Sequence, residues 1–244
     1  QNAAAYAKER VQGRAPSGVK EPEKAADPIL VHPDVRRMLL TARAWIEGGR
    51  ALTTWAALLL DREHAHPDAE VREDAAELLA LLTPVVKAFI TDNAFDGINH
   101  CLQVFGGHGY IAEWGLEQYA RDARINMIYE GTNGIQALDL LGRKVLMDGG
   151  AKFSRLARLV QATLAGYEAE PQIREFTAPL ARLLDDVGAL TLELGARART
   201  SPDEIGAASV PYLRLIGHLV YAWLWTRMAA IAGQNPDDGF HRAK

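Results

Sequence analysis

The chain holds one cysteine, Cys101, so it cannot build an intramolecular disulfide framework. Such sparing use of thiols fits a reducing compartment, with the cytoplasm as the default. A basic surplus is also missing. With a net charge of −4 and a sequence pI near 6.0 the chain has nothing to set against a phosphate backbone, which excludes nucleic acid as a partner. No charged-then-apolar leader opens the sequence. Its longest apolar stretch, LIGHLVYAWLW, is interrupted by His218 and is too short for a bilayer, so no membrane span is expected. Strand-like alternation, internal repeats and low-complexity tracts are absent, and no His-Glu or Cys-His spacing suits a metal ion.

What is present is helical periodicity. Val35, Met38, Leu39, Ala42, Trp45 and Ile46 follow the i, i+3, i+4 rule, as do Leu78, Leu79, Leu82, Val85, Val86 and Phe89. The class is all-α, and long helices joined by short turns predict an up-and-down four-helix bundle. The opening QNAAAYAKERVQGR already reads as helix with no capping residue ahead of it, so a longer polypeptide is expected, a point an intact-mass comparison checks. GRAPSGVKEPEKAADPILVHPD reads as a surface loop. Helices are predicted at about 33–62 and 70–105, with Thr83-Pro84 marking a kink or a fresh N-cap. Further helices follow GGHGY and Gly131. After residue 148 three more are expected, at about 151–168, 173–199 and 203–232, giving two regions, 1–148 and an appended helical segment at 149–244. The last helix is aromatic through Tyr212, Tyr221, Trp223 and Trp225, which suits a buried helix or a subunit contact. The tail from Asn235 reads as frayed.

Chemistry has three candidate seats. QVFGGHGY puts three glycines in four positions, as a phosphate-cradling loop needs, and a helix C-cap with a tight turn explains them equally well. His108 within it reads as an exposed turn residue. Glu130, between Tyr129 and Gly131 in an apolar and small-residue run, is either an acid at a helix N-terminus or a general base in an apolar cleft. Spacing alone leaves both open.

The run QVFGGHGYIAEWGLEQYARDARINMIYEGTNGIQ resembles the C-terminal signature of the acyl-CoA dehydrogenases. In that family a Gln-x-x-Gly-Gly-x-Gly-Tyr turn, an Arg-Asp-x-Arg-Ile helix and Tyr-Glu-Gly-Thr occur in this order. With YAKER as a weaker fourth element the resemblance covers about residues 1–147. It implies a flavoenzyme that desaturates an acyl-CoA between its α and β carbons, with FAD as cofactor, an electron-transfer flavoprotein as acceptor and a homo-oligomeric assembly. Glu130 matches the base that takes the α-proton, set in an apolar slot beside the flavin between Tyr129 and Gly131 on the substrate side. Gln103, Gly106 and Gly107 match the turn that approaches a neighbouring subunit's FAD. Thr132 matches a flavin-nucleotide contact and Arg10 an arginine reaching a flavin phosphate across the subunit interface. Two positions depart from the pattern: the aromatic-Gly pair after Arg10 is Gly13-Arg14, and the Gln two residues past Thr132 is Gly134.

Residues from about Ala151 resemble the extra helical segment of a subgroup of larger members, which includes enzymes acting on 3-methylmercaptopropionyl-CoA. Two alternatives stand beside this reading: an acyl-CoA oxidase on the same bundle, and a non-catalytic helical oligomerisation domain. The isolated chain is expected to bind FAD weakly and to turn over little.

Overall fold

A computed structural model describes residues 1–235 and 237–239. The all-α class holds, since the described residues contain helices and one isolated bridge, Val11 to Pro28. The tail expected to fray lies partly outside them. The helices are α1 (Asn2–Glu9), α2 (Pro33–Ala65), α3 (Ala69–Phe105), the single turn α4 (Gly107–Tyr110), α5 (Leu116–Ile125), α6 (Asn133–Leu138), α7 (Ala151–Gly166), α8 (Arg174–Ala198) and α9 (Asp203–Gln234). They gather into two compact units, residues 1–47 with 90–130 and residues 48–89 with 131–244. This grouping cuts across the sequence division at 148/149, because α2 and α3 each give one part to either unit.

α3 runs through Thr83-Pro84 without restarting, so the N-cap reading of that pair is corrected. Proline removes one backbone donor there, and the Thr83 hydroxyl donates to the Leu79 carbonyl at 2.7 Å. By length and apolarity α3 and α9 could each cross a membrane, yet 44% and 50% of their most apolar stretches are buried within the protein.

In the first unit Ala3 and Ala7 of α1 pack with Ile29, Met38, Val104, Phe105 and Leu116. Trp45 stacks on the His100 ring at 5.7 Å. The loop from 11 to 28 is surface by composition, but its centre is a fully buried carboxylate, Asp27. Asp27 accepts hydrogen bonds from the backbone N–H groups of Ala15, Lys20 and Glu21 at 2.8–3.0 Å and from the Arg14 guanidinium at 3.2 Å. Burial alone would raise its pKa, but these donors favour the ionised form and bring it down to about 2 from 3.8. The charge therefore tightens the loop above about pH 4, and that tightening is lost as pH falls through about 2. Hydrogen exchange at the Ala15, Lys20 and Glu21 amides should show this acid loosening, and Asp27→Asn should show fast exchange already at neutral pH.

The second unit is built around α9, whose Tyr212, Ile216, Leu219, Val220 and Trp223 are buried. α8 packs along it, and the Tyr212 and Thr191 hydroxyls share a buried hydrogen bond of 2.8 Å. The Tyr221 and Trp223 side chains are buried here too, so the aromatic helix serves the unit's own core. After α6 the chain continues as a π-helix, Asp139–Leu146, and its wider turn sets Leu140 and Val145 on one buried face. Lys152 ties Glu77 at 2.8 Å and Asp148 at 2.9 Å, which fastens the start of α7 to α3.

Candidate functional site

α1 ends because Arg10 turns extended (φ −66°, ψ 119°), with its carbonyl accepting from the Ile29 N–H at 2.8 Å. This exit brings Arg10 beside the end of α3, about ninety residues further along the chain. There an open groove of about 660 Å³ is lined by Arg10, Gln103, Gly106, Gly107 and His108, with Gln12 and His32 of the loop as a further wall. Its size lies within the ~300–1,000 Å³ typical of small-molecule sites. Five of the residues weighed in the sequence thus share one surface. The His32 ring nitrogen lies 2.8 Å from the Gln12 carbonyl, so the wall is tied to the loop that Asp27 organises.

Gly106 has φ 58°, a conformation in which a side chain is strained, and nothing stands within 4 Å of where its Cβ or that of Gly107 would sit. The backbone there is open to close approach by a ligand. Gly109 is needed for a different reason: a Cβ would lie 2.5 Å from the Leu102 carbonyl oxygen.

His108 is half-buried, which corrects the exposed-turn expectation. Its Nδ1 lies 2.9 Å from the Tyr6 hydroxyl, and its ring stacks on Trp114 at 5.0 Å and 10°. Tyr6 in turn stacks on Phe105 at 4.2 Å. Either partner can donate in this contact, according to the imidazole tautomer, and in both cases Nε2 remains the edge turned away from Tyr6. Sequence reasoning gave no role to Tyr6, the first residue of YAKER, or to Trp114, and both meet His108 only in the folded chain.

Glu130 is exposed, and it is the one non-glycine described residue with positive φ, at 55°. Gly131 follows at φ 83°. A left-handed non-glycine residue costs roughly 1–2 kcal/mol, and such outliers cluster at functional sites. Thr132 is the N-cap of α6, accepting from the Ile135 N–H at 3.4 Å. Glu130 therefore precedes the cap by two residues, outside the first turn, and the helix-acid reading falls. The apolar slot expected around its carboxylate is not one that this exposed position has from the chain itself. Tyr129 is half exposed and donates its hydroxyl to Asn126 Oδ1 at 2.7 Å. Neither Tyr129 nor Glu130 lines the Arg10 groove. Beyond Thr132, Lys87 donates to Asn133 Oδ1 at 2.8 Å and Asn133 to the Ala88 carbonyl at 3.2 Å, pinning the start of α6 to α3.

With that geometry in view, residues 2–146 match the family described as "Acyl-CoA dehydrogenase, C-terminal domain", and residues 156–244 match "Acetyl-CoA dehydrogenase C-terminal like". The chain belongs to the acyl-CoA dehydrogenase C-terminal domain family. It is 42% identical over 231 residues to the 3-methylmercaptopropionyl-CoA dehydrogenase of Ruegeria pomeroyi, covering 91% of this chain and 37% of that protein. It is 36% identical over 248 residues to the broad-specificity linear acyl-CoA dehydrogenase FadE5 of Mycobacterium tuberculosis, covering 98% of this chain and 40% of that protein. The chain thus spans about two fifths of these relatives. Among solved structures, Caenorhabditis elegans ACDH-11 in complex with C11-CoA shares the fold at TM-score 0.75 and 22% identity, over 91% of this chain and 35% of that one. An acyl-CoA dehydrogenase complexed with FAD from Bacillus anthracis does so at TM-score 0.60 and 22% identity, over 95% and 39%.

Proposed function

We propose that this chain is the C-terminal helical part of an FAD-dependent acyl-CoA dehydrogenase that desaturates an acyl-CoA thioester between Cα and Cβ. The observation that carries the reading is the meeting of Arg10, Gln103, Gly106 and Gly107 on one groove from opposite ends of a long stretch of chain. A guanidinium beside an open glycine backbone suits the phosphates of a dinucleotide. Of the solved structures that share the fold, the Bacillus anthracis protein complexed with FAD and the Caenorhabditis elegans protein in complex with C11-CoA support the same chemistry.

In this reading Arg10 pairs with a flavin phosphate, Gln103, Gly106 and Gly107 give the backbone and amide contacts around it, and Thr132 adds a nucleotide contact. The bound flavin supplies a hydride acceptor for Cβ. Glu130 takes the α-proton on its carboxylate, and its backbone N–H helps hold the negative charge that builds on the thioester oxygen. Tyr129 and Gly131 flank the acyl group. Loss of that proton, together with the Cβ hydride the flavin would accept when bound, would leave the α,β-double bond. The complete enzyme then passes its electrons to an electron-transfer flavoprotein, works as a homo-oligomer and resides in the cytoplasm. An acyl-CoA oxidase would instead release peroxide, and a purely oligomerising bundle would have no use for Glu130.

The test is FAD affinity in the complete polypeptide, read by quenching of flavin fluorescence. Arg10→Gln should weaken it by about tenfold or more, the loss of one charge-assisted phosphate contact. Unchanged affinity would remove the groove from the nucleotide site.

A further inference from the structure

The second unit contains another groove, of about 530 Å³, and none of the residues assigned above touches it. Four helices build it with faces of matching periodicity. α2 presents Trp55, Leu58, Leu59 and Arg62, and α3 presents Val71, Asp74, Ala75 and Leu78, both at i, i+3, i+4, i+7. α7 and α9 complete the walls. Its floor is apolar. Leu59, Ala75, Leu78 and Trp223 are buried, Trp55 meets Trp223 edge to face at 4.7 Å, and the Trp223 indole N–H donates to Thr163 Oγ1 at 2.8 Å. The indole thus has its hydrogen bond already and asks nothing polar of a ligand.

The charges are unequal. Asp74 is the one carboxylate in the lining, and Arg155 is ion-paired with it. Arg62 and Arg227 also line the groove, and neither is ion-paired to a carboxylate among the described residues. The Arg227 guanidinium lies over the Trp223 ring at 5.0 Å, a contact that fixes its position without neutralising it. Aliphatic walls with two uncompensated guanidiniums at the surface complement a ligand that has an aliphatic body and one anionic end.

We propose that this groove binds an aliphatic carboxylate, with its chain along Leu59, Leu78 and the two indoles and its carboxylate held by Arg62 and Arg227. The inference does not rest on the reading of Glu130 or of the flavin. It is tested with decanoate, kept below its micelle threshold, and with decanol as the uncharged counterpart, each titrated into the complete polypeptide by calorimetry while the tryptophan indole N–H resonances are followed. Decanoate should bind saturably, shift the Trp55 and Trp223 signals, and bind about tenfold or more weaker to the Arg62→Gln/Arg227→Gln double variant. Decanol should bind more weakly and ignore that change. Both arginines are exposed, and circular dichroism checks that the variant folds. Should it fail to, a salt series on the unaltered chain decides, because decanoate affinity must then fall with ionic strength while decanol affinity does not. Absence of saturable binding, shifts confined to other tryptophans, or decanoate binding that ignores both salt and the arginines would overturn the proposal.

Discussion

Replacing Glu130 by glutamine in the complete FAD-loaded enzyme is expected to lower kcat by about 10²–10⁴-fold while flavin content and substrate affinity stay near their original values. The amide has nearly the shape of the carboxylate but cannot accept the α-proton, and it inherits the same left-handed backbone at φ 55°. Glutamine therefore isolates proton transfer from conformation. Glycine separates them the other way. Glu130→Gly should relieve the positive-φ strain and raise stability by up to about 1 kcal/mol in urea denaturation, yet it should be as inactive as the glutamine variant. A stabilised and inactive protein is what a strained functional residue predicts. If Glu130→Gln keeps full turnover, the base lies elsewhere.

The second large effect concerns stability. Gly217 in α9 faces the ring of Phe89, and a Cβ there would sit 2.4 Å from two ring atoms. The ring cannot swing aside readily, since His218 and Tyr221 meet it edge to face at 5.0 and 4.9 Å. Gly217→Ala is expected to destabilise by about 1–3 kcal/mol despite alanine's better helix propensity. Gly188→Ala in α8, where no atom stands within 4 Å of the new Cβ, should stabilise by about 0.5–1 kcal/mol. Phe89→Leu combined with Gly217→Ala should recover part of the loss, because the two substitutions share one contact. Chemical denaturation of the three variants measures all of these.

Local signals were legible. The i, i+3, i+4 pattern gave α2 and α3 nearly to their ends, and α7, α8 and α9 fall within about two residues of the expected 151–168, 173–199 and 203–232. What stayed hidden depends on partners distant in the chain. Composition makes 11–28 a loop, but nothing in a Pro- and Gly-rich stretch says that Asp27 lies buried under three backbone donors. His108 looked exposed because its hydrogen-bonding partner, Tyr6, is 102 residues away. The meeting of Arg10 with Gly106 is of the same kind. Glu130 stood out in sequence through its neighbours, whereas its left-handed backbone is set by the turn between α5 and α6. The Gly217 contact had no signal, since a helical glycine reads the same whether it faces solvent or a ring.

The most direct test of the account is the visible absorption spectrum of the complete flavin-loaded enzyme titrated anaerobically with a short acyl-CoA, alongside its Glu130→Gln variant. The account predicts that the flavin bands of the unaltered enzyme bleach on mixing and that those of the variant stay oxidised although substrate binds. Equal bleaching of both, or of neither, across a panel of acyl-CoAs would contradict it.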